Sequence, residues 1–136
     1  MRTLLFSMLA AGLLASCSTA PQAPRSQSAE AHLQSMLAGK VAGPAKECIS
    51  SIAADNMVVV DDRTLLFREG SRRVWRNDLN GGSCHGLRLG GTLVTKREPG
   101  SSSLCRGDIS HVVASGGMIS STCIMGDFVP YTAAGR

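Results

Sequence analysis

From Glu47 to Tyr131, turn-forming residues interrupt the chain about every 8–12 residues, which leaves room only for short strands. The breaks are Asp61-Asp62-Arg63, Glu69-Gly70-Ser71, Asn80-Gly81-Gly82-Ser83, Gly90-Gly91, the Pro99-Gly100 loop from Arg97 to Ser103, and Ser115-Gly116-Gly117. The segments between them predict strands over Cys48 to Ala53, Met57 to Val60, Thr64 to Arg68, Arg73 to Leu79, Leu87 to Leu89, Thr92 to Lys96, Ile109 to Ala114, Cys123 to Met125 and Phe128 to Tyr131. Met118 to Thr122 is ambiguous. Met57 to Arg68 reads as a hairpin. In Arg73 to Leu79, alternation sets Arg73, Trp75, Asn77 and Leu79 on one side and Val74, Arg76 and Asp78 on the other. Short strands at this spacing predict a mainly β domain, a small antiparallel β-barrel or sandwich.

The front of the chain carries an export signal. Arg2 is the only charge before Arg25, and Leu4 to Leu14 is apolar apart from Ser7 and Gly12. That is a signal-peptide pattern, and the run is shorter than the roughly 20 apolar residues a membrane span requires. It ends in Leu14-Ala15-Ser16-Cys17, which resembles the lipobox of bacterial lipoproteins. Small residues fit the peptidase cleft, and the thiol takes the diacylglycerol. The alternative is a cut after Ser18-Thr19-Ala20, but Pro21 would follow it and is a poor substrate for ordinary signal peptidase. The resemblance implies lipidation at Cys17 and a tethered protein. By analogy with enteric lipoproteins, a residue other than Asp after the acceptor, here Ser18, implies the outer membrane, with the domain facing the periplasm.

Cleavage before Cys17 leaves about 120 residues, enough for one modest core. The domain organisation predicted is a signal peptide over 1–16, a flexible tether over 17–28, a short helix and linker over 29–45, a four-cysteine β domain over 46–131 and a tail over 132–136. The tether carries Pro21, Pro24, serines and glutamines. In the helix, Leu33, Met36 and Leu37 share a face, Ser28 caps the start and Gly39 the end.

Four cysteines in an exported chain, Cys48, Cys84, Cys105 and Cys123, read as two disulfides. They allow three connectivities. The expected one is Cys48–Cys123 with Cys84–Cys105, because first and last strands often lie side by side in a small barrel.

The runs Cys48-Ile49, Asp62-x-Thr64-Leu65-Leu66-Phe67, Arg76-Asn77-x-Leu79 and Cys84-x-Gly86-Leu87 are followed by two more. These are Leu104-Cys105-Arg106-Gly107-Asp108-Ile109 and Cys123-x-x-Gly126-Asp127-Phe128-Val129-Pro130. Together they resemble an uncharacterised family of small exported proteobacterial proteins. The resemblance implies a four-cysteine domain and an envelope address, and no activity.

No residue set spells out a reaction. Cys84, His85, Cys105, His111 and Cys123 are zinc-ligand types, but no C-x₂-C or H-x₃-H spacing occurs and disulfides consume the thiols. No G-x-S-x-G elbow is present. Arg106-Gly107-Asp108 matches an integrin-recognition tripeptide, yet Gly followed by Asp reads better as a turn, with Asp108 structural. The densest basic group is Arg63, Arg68, Arg72, Arg73 and Arg76 around Trp75. Asp61, Asp62, Glu69 and Asp78 are interleaved, which lowers the field. The net charge of +4 falls by one when Arg2 leaves, too little and too dispersed for nucleic acid.

The expectation is therefore a non-enzymatic, lipid-anchored envelope protein without cofactor or metal. It would bind another envelope protein or an anionic polymer through one face formed by Arg68, Arg72, Arg73, Trp75 and Arg76. The rival readings are an envelope hydrolase using His111 or Asp108, and a purely structural lipoprotein.

Overall fold

The computed structural model describes residues 23–97 and 99–135. The leader, Cys17 and the first half of the expected tether, through residue 22, lie outside them. The fold is mainly β, a disulfide-stapled open sandwich with one short N-terminal helix, and its sheets do not close into a barrel.

Helix α1, Gln27–Leu37, starts two residues earlier than expected. Ser26 rather than Ser28 caps it, with its hydroxyl accepting from the Ala29 amide at 3.3 Å. Gly39, at φ 70°, turns the chain out into strand β1, Lys40–Ala42. Strand β2, Cys48–Ser50, ends where Ser50 caps the single-turn helix α2, Ser51–Ala54, so the expected strand through Ala53 is half helix. β3, Met57–Asp61, and β4, Thr64–Glu69, form the expected hairpin, and β5, Arg73–Asp78, follows.

Next come β6, Gly81–Gly82, and a single 3₁₀ turn over Leu87–Leu89, where a strand was expected. Gly86 and Gly90 bracket that turn at φ 97° and 89°, a left-handed geometry that no strand adopts. β7, Thr92–Thr95, β8, Ser103–Cys105, and β9, Ile109–Val113, lead to β10, Ile119–Ile124. β10 joins the ambiguous Met118 to Thr122 segment to Cys123. β11, Phe128–Ala133, is last.

The five-stranded sheet has the order β1-β11-β5-β4-β3, and the four-stranded sheet the order β6-β10-β9-β7. β2 and β8 form a separate pair. β4 lies inside the first sheet and is covered on both sides, which is why Leu65-Leu66-Phe67 runs apolar without alternation. Leu66 and Val74 pack with Ala29 and Leu33 of α1. Leu65, Phe67, Trp75 and Phe128 face the other way, onto Leu104, Val112, Cys123 and Met125. Parts of the segments expected to be linker and tail belong to the sheet, since Val41 pairs with Thr132 and Lys40 with Ala133.

Both disulfides form, with the connectivity Cys48–Cys105 and Cys84–Cys123. The expected pairing fails for a topological reason. With no closed barrel, β2 lies beside β8, which puts Cys48 directly across from Cys105. The hydrogen bond from the Ser83 amide to the Thr122 carbonyl sets Cys84 beside β10 and Cys123.

Candidate functional site

The five residues expected to form one basic-aromatic face are divided among three places. Period-2 alternation sends Arg73 and Trp75 to the face they share with Glu69 and Phe67. Arg68 and Arg76 go to the α1 side, and Arg72 sits in the β4–β5 turn. Trp75 is only 6% exposed, so it offers no flat stacking surface. Its Nε1 donates to Glu69 Oε2 at 2.9 Å, and Arg73 donates to the same oxygen at 3.0 Å while lying 5.5 Å from the indole centroid. The Trp75 hydrogen bond and the Arg73 charge hold the Glu69 carboxyl below the usual carboxylate range.

Arg76 is engaged by Asp78, through Nη2 at 3.2 Å, while its Nε is 2.8 Å from the other oxygen but out of line for a hydrogen bond. On the same side Arg25 reaches Asp61, Glu30 and Thr64, and Thr64 donates to Asp78. Burial alone would raise the Asp61 carboxyl, but the Arg25 hydrogen bond and the Arg63 and Thr64 amides outweigh it and hold it low. The end of the expected tether is thus clamped to the sheet. Its Ala23 carbonyl also accepts from Arg63 at 2.6 Å.

His111 and Asp108 are not brought to one reaction centre. His111 Nδ1 is 3.0 Å from Thr122 Oγ1 across the β9–β10 ladder. Asp108 Oδ2 accepts from the Cys105 amide at 2.8 Å, so it fastens its turn to the backbone before it rather than after it. His85 Nδ1 meets Asp62 at 3.1 Å on an open surface.

A different place combines an open backbone edge with an apolar floor. β3 and β7 are each the last strand of their sheet, and a cavity of about 400 Å³ lies between them. Met57, Phe67, Leu93 and Leu104 floor it, and Asp55, Thr92, Thr95 and Arg97 stand around it. The Lys96 amide bonds the Ile109 carbonyl. Antiparallel alternation then makes Val94–His111 and Thr92–Val113 the hydrogen-bonded pairs. Leu93 and Thr95 must therefore turn their N–H and C=O groups to the open edge. The Gly91 amide, next in that series, is already bonded to the Gly86 carbonyl.

The same argument on β3 starts from the Arg68 amide on the Asn56 carbonyl and turns the groups of Met57 and Val59 outward. Sequence reasoning missed this cleft because strand order, not strand identity, creates an edge. One trace was visible: Thr92 to Thr95 has no charge, proline or glycine to blunt an edge. No protein-family model, curated protein or solved structure matches the chain.

Proposed function

We propose that this is an exported, lipid-anchored domain of the bacterial envelope with a non-enzymatic role: it captures an extended peptide segment of another envelope protein between β3 and β7. The observation that carries the reading is the row of outward-turned backbone groups at Leu93 and Thr95 beside an apolar-floored cavity. A second extended backbone pairs with such a row in register, and strand addition to a sheet edge is how proteins use it. The cavity takes an apolar side chain of the added strand. Lys96 and Arg97 at one end favour an acidic residue, and Asp55 just after α2 favours a basic one beyond it. Two disulfides in a small core agree with an oxidising envelope address, and the lipobox-like Cys17 with a tether.

The test is selection of peptides from a random display library on the immobilised full chain. Selected peptides should share an apolar residue flanked by an acidic one, and Thr95→Pro should lose them. Failure to select any peptide, or equal binding by Thr95→Pro, overturns the reading.

A further inference from the structure

The three most exposed large apolar side chains of the folded layers other than Ile52 gather at one end of the molecule. Leu89, in the 3₁₀ turn, is 82% exposed, Met118 is 76% and Ile119 is 61%. Met118 and Ile119 directly follow the Ser115–Gly117 turn at the tip of the β9–β10 hairpin, where the Ala114 amide bonds the Met118 carbonyl. The 3₁₀ turn is held beside that tip. Ser121 Oγ donates to the His85 carbonyl at 2.7 Å, and a side chain at Gly86 would come within 2.9 Å of Ser120 Oγ. Burial would favour all three side chains, yet no element of the described chain covers them.

The same end receives the N-terminal segment. Pro24, Arg25 and Ser26 line one shallow cleft with Asp62, Arg63 and Arg88, the residue beside Leu89. Asp62 in turn holds His85. Ala23 is fixed to Arg63, and Cys17 lies six positions before it. Six residues reach at most ~20 Å even when fully extended. A chain acylated at Cys17 must therefore hold this end within that distance of the bilayer surface, and no other end of the domain is so constrained.

We infer that this end docks on the lipid surface, with Leu89, Met118 and Ile119 entering the headgroup–acyl boundary and Arg88 meeting lipid phosphate. The inference rests on the lipid-anchor reading of Cys17. Apolar side chains flanked by a cation are the chemistry of interfacial binding, and tethering makes the contact effectively intramolecular. Docking of this end turns the opposite one outward. There the β4–β5 turn carries Arg72, and β1 carries the exposed Val41.

The experiment uses the full-length acylated chain, reconstituted into vesicles of phosphatidylethanolamine and phosphatidylglycerol doped with acyl-brominated phosphatidylcholine. Mass spectrometry of the purified chain first reads the acyl groups on Cys17. Tryptophan is then placed at Leu89→Trp, Met118→Trp and, as the far-end control, Val41→Trp. The buried native Trp75 serves as an internal reference.

Quenched, blue-shifted emission from Leu89→Trp and Met118→Trp, with Val41→Trp unquenched, is the expected result. The triple variant Leu89→Asp, Met118→Asp, Ile119→Asp, carrying Ser120→Trp as reporter, should stay on the vesicles and lose quenching. If Cys17 is acylated and the chain floats with the vesicles but neither reporter is quenched, the docking inference fails while the anchor stands. An unacylated Cys17 overturns both.

Discussion

Asn77 is fully buried near the end of β5, between Leu65 and Phe128 on the neighbouring strands. Its side-chain amide donates to the Gly126 carbonyl at 2.8 Å and its oxygen accepts from the Gly126 amide at 3.0 Å. One side chain thus replaces the ladder that the bend before β11 would otherwise lack. Gly126 is required there because a Cβ would sit 2.0 Å from the Asp78 carbonyl oxygen. Asn77→Ala leaves a buried N–H and C=O without partners, at about 1–3 kcal/mol for each group. Its denaturant midpoint should fall accordingly with the m-value unchanged, and an unchanged midpoint would show that water replaces the side chain.

Glu69 yields a second prediction at this scale. Its carboxyl is held low by Trp75 and Arg73, so the stabilisation is complete above the ordinary glutamate range. It is lost as the pH falls through the lowered folded-state value. Trp75 is the only tryptophan, so its emission should change in that acidic window, below the ordinary glutamate range. Glu69→Gln should abolish the transition.

At the scale of elements, β7 is the informative strand. Thr95 turns its N–H away from β9, so proline there removes an edge donor and spares the ladder. Thr95→Pro should keep the melting behaviour of the wild type while weakening a selected peptide about tenfold or more, the equivalent of ~1.4 kcal/mol. A comparable loss of thermal stability would show that the edge groups are already paired within the fold.

The contrast with β5 shows what a strand's sequence reveals. Its alternation correctly separated Trp75 and Asn77 from Val74 and Arg76. The idea of one arginine face failed because the same alternation, applied through β4, sends Arg68 and Arg73 to opposite sides. Leu87 to Leu89 failed as a strand because two left-handed glycines, not the three residues themselves, decide its geometry.

At the scale of the molecule, one bridge staples the β2–β8 pair, the other joins Cys84 to β10 of the four-stranded sheet, and neither reaches a strand of the five-stranded sheet. Cys84 and Cys123 are fully buried, whereas Cys48 is exposed and Cys105 half-buried. A reductant at neutral pH should open Cys48–Cys105 first, read by mass-tagging of free thiols before and after unfolding. Loss of Cys84–Cys123 through paired Ala substitutions should cost about 2–4 kcal/mol, since the bridge restricts a long loop of the unfolded chain. Simultaneous opening of both bridges would mean that the domain unfolds before either is attacked.

Local chemistry alone was enough for the strand-rich class, the β3–β4 hairpin, the helix near residue 30 and the use of four cysteines in two bridges. Each rests on neighbours within a few residues: alternation, turn-forming residues, a cap, or a count of thiols. The pairing of those thiols, the second-sheet edge at β7, the clamp of Arg25 on Asp61 and the gathering of Leu89 with Met118 were decided only in three dimensions. All of them join residues more than ten positions apart, and strand order, which no single strand encodes, determines which of those residues meet.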